Sequence, residues 1–215
     1  MFIYEIRGTN LMQSLPRVYP LTDVQLSGLS HAEQVRRLSL GGASLIQLRE
    51  KRMPALEFYE QAKAAQQSGV RLIINDRVDI ALAVGAAGVH LGQNDLSPEA
   101  ARKLLGPQAI IGYSTHNVEQ AINAIQHPID YLAIGPIFST PTKTDTAPVL
   151  GLEGLRAVRR AIGKFPLVAI GGITAANARE VIEAGADSVA VISALLSTSD
   201  RITPLTQSLF QLCQT

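Results

Sequence analysis

The sequence predicts an α/β fold, a single-domain (β/α)8 TIM barrel. Short apolar runs alternate with helical patterns along the chain, which is typical of a parallel sheet with crossover helices. Eight such runs occur, the strand number of this barrel. No change in composition marks a second domain, and 215 residues suffice for one domain with a sizeable core.

The predicted strands are apolar runs bounded by turn residues. They span 18–23, 45–49, 71–75, 88–91, 110–114, 131–135, 167–172 and 188–192. An open doubly wound sheet, flavodoxin-like or Rossmann-like, remains the alternative fold. No GxGxxG motif follows the first strand, which counts against its dinucleotide-binding form.

Helical patterns occupy the intervals between these strands. They span 31–42, 54–69, 77–86, 97–106, 117–126, 152–163 and 175–186. Ser97 and Pro98 are typical of a helix N-cap and first helical position, and Gly106 ends the same helix. We expect one domain over residues 1–215, with residues 1–16 as an N-terminal extension.

The composition limits the possible partners. Nineteen basic and eighteen acidic side chains leave a formal net charge of +1, which gives no electrostatic reason to expect nucleic acid or a membrane surface. The one cysteine, Cys213, cannot form an intrachain disulfide or a cysteine-rich zinc site. The N-terminal segment lacks the apolar core of a signal peptide, so we expect a cytoplasmic protein.

A row of polar side chains ends the second predicted strand. Gln47, Arg49 and Lys51 alternate along the chain and therefore point the same way. In a barrel this row would lie at the carboxyl ends of the strands, where active sites form. We interpret it as a cradle for phosphate oxygens, and the alternative is a solvated basic rim.

Two carboxylates follow adjacent predicted strands, Asp76 after the third and Asp95 after the fourth. Magnesium prefers one or two carboxylates together with phosphate and water, so this pair beside a cationic row predicts a Mg²⁺ site. Taken singly, Asp76 could cap a helix and Asp95 a turn.

A second anion site is predicted after the last two strands. Gly171 and Gly172 allow close approach of backbone N–H groups, while Ile192 and Ser193 stand at the head of the predicted last helix. Packing alone could also explain the glycines. Two anion sites and a metal indicate two small phosphorylated ligands, one of them a diphosphate.

A long segment, GPIFSTPTKTDTAPVLGL at 135–152, follows the sixth strand. Loops of this length are usually functional or disordered. Thr140, Thr142 and Lys143 can donate hydrogen bonds or supply charge, so we expect this segment to close over the substrates.

These motifs together resemble the thiamine phosphate synthase (thiamine-phosphate pyrophosphorylase) family. The matching blocks are QLREK (47–51), INDRVDIALAVGAAGVHLGQNDL (74–96), IGYSTHN (111–117), GPIFSTPTKTD (135–145), GLEGL (151–155) and AIGGI (169–173). The resemblance implies a transferase that joins 4-amino-5-hydroxymethyl-2-methylpyrimidine diphosphate to 4-methyl-5-(2-hydroxyethyl)thiazole phosphate. Pyrophosphate would leave first, and the thiazole nitrogen would capture the resulting carbocation. A homodimer is also implied.

The resemblance also assigns roles to single residues. Contacts with the pyrimidine diphosphate fall to Gln47, Arg49, Lys51, Asn75 and Lys143, with Ser114 near the pyrimidine and the leaving group. Asp76 and Asp95 would bind Mg²⁺. The thiazole phosphate would contact Thr140, Thr142, Gly172, Ile192 and Ser193. Arg49, Ser114 and Lys143 are the residues expected to take part in catalysis.

Three other functions stay open. A thiazole tautomerase shares this barrel and uses a histidine near the position of His116. A regulator that binds thiazole phosphate without turnover is the second. The third is a sugar-phosphate isomerase or aldolase, which would need a base or Schiff-base lysine on a strand. We interpret His31, His90 and His127 as packing or surface residues.

Overall fold

Eight parallel strands close into a barrel, as predicted. The computed structural model describes residues 15–140 and 148–214. The strands are β1 Val18–Thr22, β2 Leu45–Leu48, β3 Arg71–Asn75, β4 Gly88–Leu91, β5 Ile110–Thr115, β6 Tyr131–Ile134, β7 Leu167–Ile170 and β8 Ser188–Val191. Each pairs with its neighbour in sequence, and β8 pairs with β1 to close the ring. The open doubly wound sheet is therefore excluded.

Helices surround this barrel. Within the described ranges they are α1 Val24–Ser27, α2 His31–Leu40, α3 Ala55–Gln66, α4 Val78–Val84, α5 Pro98–Leu105, α6 Val118–Ala124, α7 Gly151–Ile162, α8 Ala178–Glu183, α9 Ser193–Leu196 and α10 Ile202–Gln214. The predicted caps of α5 are confirmed, because the Ser97 side chain accepts from the N–H of Ala100 and Gly106 follows the last turn.

The end of the chain differs from the expectation. The helix that begins at Ser193 has only four residues, and a short 3-10 turn at Ser199–Arg201 separates it from α10. Hydroxyl and carboxylate side chains in residues 197–200 compete for backbone hydrogen bonds, which interrupts the helix. The last helix is α10, which the sequence analysis did not identify.

Side chains alternate between two apolar layers along each strand. Those directed into the barrel include Tyr19, Leu45, Ile73, Tyr131 and Val168, which form one buried cluster. The opposite faces of the strands pack against the helices in a second, larger cluster. Since Gln47 shares the face of Leu45, the predicted row at the end of β2 starts inside the barrel.

The amino ends of two strand pairs carry the same ion-pair arrangement. Arg102 Nη2 donates to Asp130 Oδ2 at 2.6 Å, and Arg159 Nη2 donates to Asp187 Oδ2 at 2.6 Å. Asp130 also accepts from the backbone N–H of Ile111, the second residue of β5, at 2.7 Å. Asp187 accepts from the backbone N–H of Leu167, the first residue of β7, at 2.8 Å. These pairs fasten helices α5 and α7 to the end of the barrel opposite the predicted site.

In the parts of the chain described by the structure, we find no helix with the length and apolar character needed to cross a membrane. The predicted N-terminal extension, 1–16, lies almost entirely outside the described residues. Of its members, Leu15 packs partly buried against the cluster inside the barrel.

Candidate active site

A cavity of about 540 Å³ opens at the carboxyl ends of the strands. Every predicted site residue within the described ranges lines it. They are Gln47, Arg49, Lys51, Asn75, Asp76, Asp95, Ser114, Thr140, Gly172, Ile192 and Ser193. The two remaining predicted residues, Thr142 and Lys143, lie outside the described residues. The barrel therefore brings together side chains that are up to about 150 positions apart in the sequence.

The cationic row runs from the barrel interior to its rim. Gln47 is 3% exposed, and its amide donates to the Tyr19 hydroxyl at 3.2 Å. The Arg49 guanidinium lies 3.7 Å from Asp23 Oδ2, with both side chains 17% exposed. The Lys51 ammonium donates to Asp76 Oδ2. This inward placement disfavours a purely solvated rim.

Asp76 has an unusual backbone. Its φ of 62° is the one positive value at a non-glycine residue in the described part of the chain. Such conformations cost energy and cluster at functional sites. Helix α4 has Arg77 as its N-cap, so Asp76 does not cap that helix. The Asp76 N–H donates instead to the His90 carbonyl at 2.8 Å, which orients the carboxylate toward the cavity.

The carboxylates of Asp76 and Asp95 interact directly. Burial raises the pKa of Asp76, Lys51 opposes that shift, and the neighbouring Asp95 carboxylate raises it further. Asp95 Oδ2 also accepts from the Gly92 N–H at 2.6 Å, so Asp95 caps a turn as well, as the alternative interpretation predicted. Two close carboxylates repel each other, and a cation between them would relieve that repulsion.

The donor set suits magnesium better than a metal that needs many protein ligands. Nowhere in residues 15–140 and 148–214 do three or more histidine, cysteine or acidic side chains form a group able to hold a metal ion. Asp76 and Asp95 would supply two oxygens. Magnesium accepts such a site because phosphate and water complete its coordination.

A hydrogen-bonded chain in the barrel interior leads to Ser114. Gln47 Nε2 lies 3.2 Å from the Tyr19 hydroxyl, which lies 3.1 Å from the Tyr131 hydroxyl. The Tyr131 hydroxyl lies 2.9 Å from His90 Nδ1, and His90 Nε2 lies 2.8 Å from the Ser114 hydroxyl. One direction that satisfies every group starts at the Gln47 amide, which only donates, and passes through Tyr19 and Tyr131 to His90 Nδ1. In this direction His90 donates from Nε2 to Ser114, which leaves the Ser114 proton available to a group in the cavity.

Sequence reasoning missed Tyr19, Tyr131 and His90. His90 was interpreted as a packing or surface residue, whereas it is buried at 6% exposure and lines the cavity. Burial raises the pKa of both tyrosines, so the phenols stay neutral and can donate. The available signal was strand alternation, because Gly88 and His90 share the inward face of β4.

The predicted second anion site contains two glycines with positive φ, 104° at Gly171 and 65° at Gly172. A Cβ on Gly172 would lie 2.6 Å from the Ser139 carbonyl oxygen, so close packing also requires glycine there. Ile192 and Ser193 complete this side of the cavity. The helix that starts at Ser193 has only four residues, and the last helix is α10, so the expectation that Ser193 opens the last helix is wrong.

His116 lines the cavity and is fixed by the backbone. Its Nδ1 lies 2.7 Å from the Gly135 carbonyl oxygen, which can only accept, so Nδ1 carries the proton. The His116 N–H donates to Gln120 Oε1 at 2.8 Å. In the neutral ring Nε2 is therefore a hydrogen-bond acceptor.

The described ends of the long segment are anchored to each other and to β7. Leu150 N–H donates to the Pro136 carbonyl at 2.9 Å, and Phe138 N–H donates to the Gly171 carbonyl at 3.0 Å. Thr140 lines the cavity. Residues 141–147 of the segment that is expected to close over the substrates lie outside the described residues.

Comparison with known proteins gives consistent results. Residues 18–195 match the family model described as thiamine monophosphate synthase. The chain is 50% identical over 189 residues to the thiamine-phosphate synthase of Albidiferax ferrireducens, covering 86% of each chain. It is 46% identical over 189 residues to that of Chloroflexus aurantiacus, covering 86% of this chain and 87% of the relative. The solved thiamine phosphate pyrophosphorylase from Pyrococcus furiosus superposes with a TM-score of 0.84 at 40% identity, covering 95% and 98% of the two chains.

Proposed function

Because the chain belongs to the thiamine monophosphate synthase family and is a transferase of thiamine phosphate synthesis, we propose that its cavity aligns two phosphorylated substrates for coupling. The electrophile is 4-amino-5-hydroxymethyl-2-methylpyrimidine diphosphate, and the nucleophile is 4-methyl-5-(2-hydroxyethyl)thiazole phosphate. The products are thiamine phosphate and pyrophosphate.

The diphosphate binds at the β2–β4 side of the cavity. Arg49 offers a planar fork of donors and Lys51 a point charge, while the Asn75 amide adds a neutral donor. Asp76 and Asp95 would hold Mg²⁺, which when bound neutralises charge on the diphosphate. All five side chains line the same cavity, so they can act on one group together.

The pyrimidine ring lies deeper, beside Gln47 and Ser114. The apolar walls there include Leu21, Ala133 and Val168, which suit the edges of an aromatic ring. Ser114 donates to the ring, since its oxygen already accepts from His90. The thiazole phosphate binds on the opposite side, next to Thr140, Gly172, Ile192 and Ser193, and its anionic group contacts backbone N–H groups there.

The coupling follows a dissociative path. The bond between the pyrimidine methylene carbon and the diphosphate oxygen breaks first, and its electron pair leaves with pyrophosphate. Arg49 and Lys51 stabilise the charge that develops on the leaving oxygens, which lowers the barrier selectively. The thiazole nitrogen then donates its lone pair to the cationic carbon. Excluding water from the site would protect that carbon, because water would otherwise capture it.

One observation supports this proposal most strongly: Arg49, Lys51, Asp76 and Asp95 converge on one cavity that Gly171 and Gly172 also line. The test is to follow pyrophosphate release with both substrates and Mg²⁺. We expect release only when both substrates are present, with kcat/KM reduced on the order of 10²–10³ in Arg49→Ala. Release from the pyrimidine diphosphate alone at an equal rate would contradict the coupling.

A thiazole tautomerase is the second candidate function, because His116 lines the same cavity and its Nε2 can accept a proton. A tautomerase would isomerise a carboxylated thiazole phosphate with no pyrimidine diphosphate present. It would also be insensitive to Arg49→Ala, since it has no diphosphate to bind. Isomerisation under those conditions would replace the proposal.

A further inference from the structure

A buried polar trio lies behind the cationic row, and the proposed chemistry does not use it. Thr22 ends β1, His31 opens α2 and Glu50 follows β2. Thr22 Oγ1 lies 2.7 Å from His31 Nδ1, and His31 Nε2 lies 3.4 Å from Glu50 Oε2. The side chain of His31 is 0% exposed and that of Glu50 is 7% exposed.

The direction of these contacts follows from chemistry. The Thr22 hydroxyl donates to His31 Nδ1, so the Nε2–H group faces the Glu50 carboxylate, which only accepts; at 3.4 Å this contact is electrostatic and too long for a well-formed hydrogen bond. Burial lowers the pKa of His31, which keeps the ring neutral near pH 7. This order resembles a nucleophile–base–acid triad, yet Thr22 is 0% exposed and no substrate can reach its oxygen. The trio therefore acts through other residues.

Glu50 holds the backbone that carries Lys51. Its Oε1 accepts from the N–H groups of Lys51 at 2.7 Å, Arg52 at 2.7 Å and Met53 at 3.2 Å. Thr22 Oγ1 in addition accepts from the Arg49 N–H at 3.3 Å. The trio thus fixes the main chain at both cationic positions of the row.

The Lys51 side chain needs such support. It is 49% exposed, and its contact with Asp76 is made at the end of a long flexible chain. Freedom of the main chain at residue 51 would move the ammonium away from Asp76 and from the diphosphate. Misplacement of a catalytic charge by about 1 Å is enough to reduce rates substantially.

We propose that His31 and Glu50 are positioning residues that direct the Lys51 ammonium toward Asp76 and the leaving diphosphate. Glu50 orders the backbone of residues 51–53, and His31 orders Glu50. The inference rests on the proposed role of Lys51 in binding the diphosphate. It predicts that the two residues affect the diphosphate substrate selectively.

The test is a mutant cycle between Glu50 and Lys51. Glu50→Gln, Glu50→Ala and His31→Gln are each made alone and in a Lys51→Ala background, and kcat and both KM values are measured. We expect Glu50→Ala alone to lower kcat/KM for the pyrimidine diphosphate roughly 10- to 100-fold, and His31→Gln about 3- to 10-fold. KM for the thiazole phosphate should change less than about twofold, and in the Lys51→Ala background the further loss should be less than about twofold.

Asp130→Asn is the matched control, because Asp130 also accepts a backbone N–H but lies at the far end of the barrel. It should lower the melting temperature and leave kcat/KM within about twofold of wild type. Glu50→Gln is the conservative variant, because its carbonyl oxygen still accepts backbone N–H groups, and it should lose less than Glu50→Ala. If Glu50→Ala does not fold, His31→Gln in the two backgrounds carries the test.

Two outcomes would overturn the inference and separate it from the function. Equal losses from Glu50→Ala and His31→Gln with and without Lys51, or wild-type kinetics in both of these variants, would remove the positioning role alone. Full activity in Lys51→Ala would remove the proposed role of Lys51, and this inference with it.

Discussion

The Nε2 atom of His90 lies 2.8 Å from the Ser114 hydroxyl oxygen. His90 thereby determines what Ser114 can offer to a substrate, since an oxygen that already accepts from the ring donates its own proton elsewhere. The ring is itself oriented by Tyr131, whose hydroxyl lies 2.9 Å from Nδ1. The rings of His90 and Tyr131 stack with their centroids 5.5 Å apart.

We expect Ser114→Ala to lower kcat/KM about fivefold, the value of one hydrogen bond of roughly 1 kcal/mol made in the transition state. Tyr131→Phe keeps the ring and removes only the hydroxyl, so it should lower kcat/KM by a smaller factor. In the double variant the second change should add little, because both act on one donor. Steady-state kinetics with the pyrimidine diphosphate decides this, and strictly additive losses would contradict a connected chain.

Asp95→Asn should weaken the response to magnesium. The change removes one of two carboxylates that face each other, so we expect the Mg²⁺ concentration for half-maximal rate to rise about tenfold or more. The measurement is a Mg²⁺ titration of the initial rate at saturating substrates. Asp79→Asn is the control, because Asp79 is an exposed residue of α4 that pairs with Arg77 and does not line the cavity. An unchanged titration in Asp95→Asn would count against a metal at this position.

The barrel and part of the cavity lining could be predicted from the sequence for a physical reason. Parallel strands need crossover helices, so the alternation of patterns fixed the topology, and polar residues after strands necessarily meet at one end. Gln47, Asp76 and Ser114 were found in this way. Gln47 and Ser114 are the penultimate residues of β2 and β5, where an apolar residue would normally continue the run, and Asp76 directly follows β3.

The interior network could not be predicted, because no local spacing encodes it. His90 and Tyr131 are 41 positions apart, and Tyr19 and Tyr131 are 112 apart. Only the closed barrel brings them together. Helix α10 was missed for another reason. Its buried positions, Ile202, Thr206, Leu209 and Cys213, keep a helical period, yet β-branched and hydroxyl residues give it low intrinsic propensity. Packing against the barrel supplies its stability.

The stacked rings of His90 and Tyr131 require glycine at position 112. A Cβ at this position would lie 2.0 Å from Tyr131 Cζ and 2.5 Å from His90 Nδ1. We expect Gly112→Ala to lower the free energy of unfolding by about 3 kcal/mol or more, since neither ring can move within the barrel. Urea denaturation measures this. The loss should be smaller when Tyr131→Leu is added to make room, and an additive double variant would show that the clash lies elsewhere.

The paired arginines at the amino end of the barrel should matter for stability and not for catalysis. Arg102 and Arg159 are 17% and 21% exposed, and each satisfies several carbonyl oxygens besides its aspartate. Replacing either by alanine should cost about 2–3 kcal/mol, because a partly buried carboxylate loses its partner. Thermal melting and kinetics on the same samples test this. A tenfold change in KM with an unchanged melting temperature would contradict the assignment.

Acid should destabilise the protein partly through His31. Its pKa in the folded state is lowered by burial, against the opposing effect of Glu50, whereas in the unfolded chain it has the ordinary value of about 6.5. Below that pH the unfolded chain binds a proton that the folded protein does not, so stability falls as the pH falls from 6.5 toward the folded value and is fully retained above 6.5. Urea denaturation from pH 8 to pH 5 should therefore show a decline that is shallower in His31→Gln, which has no proton to bind. Parallel curves for the two proteins would mean that His31 is protonated equally easily in both states, and the neutral ring argued for the buried trio would be wrong.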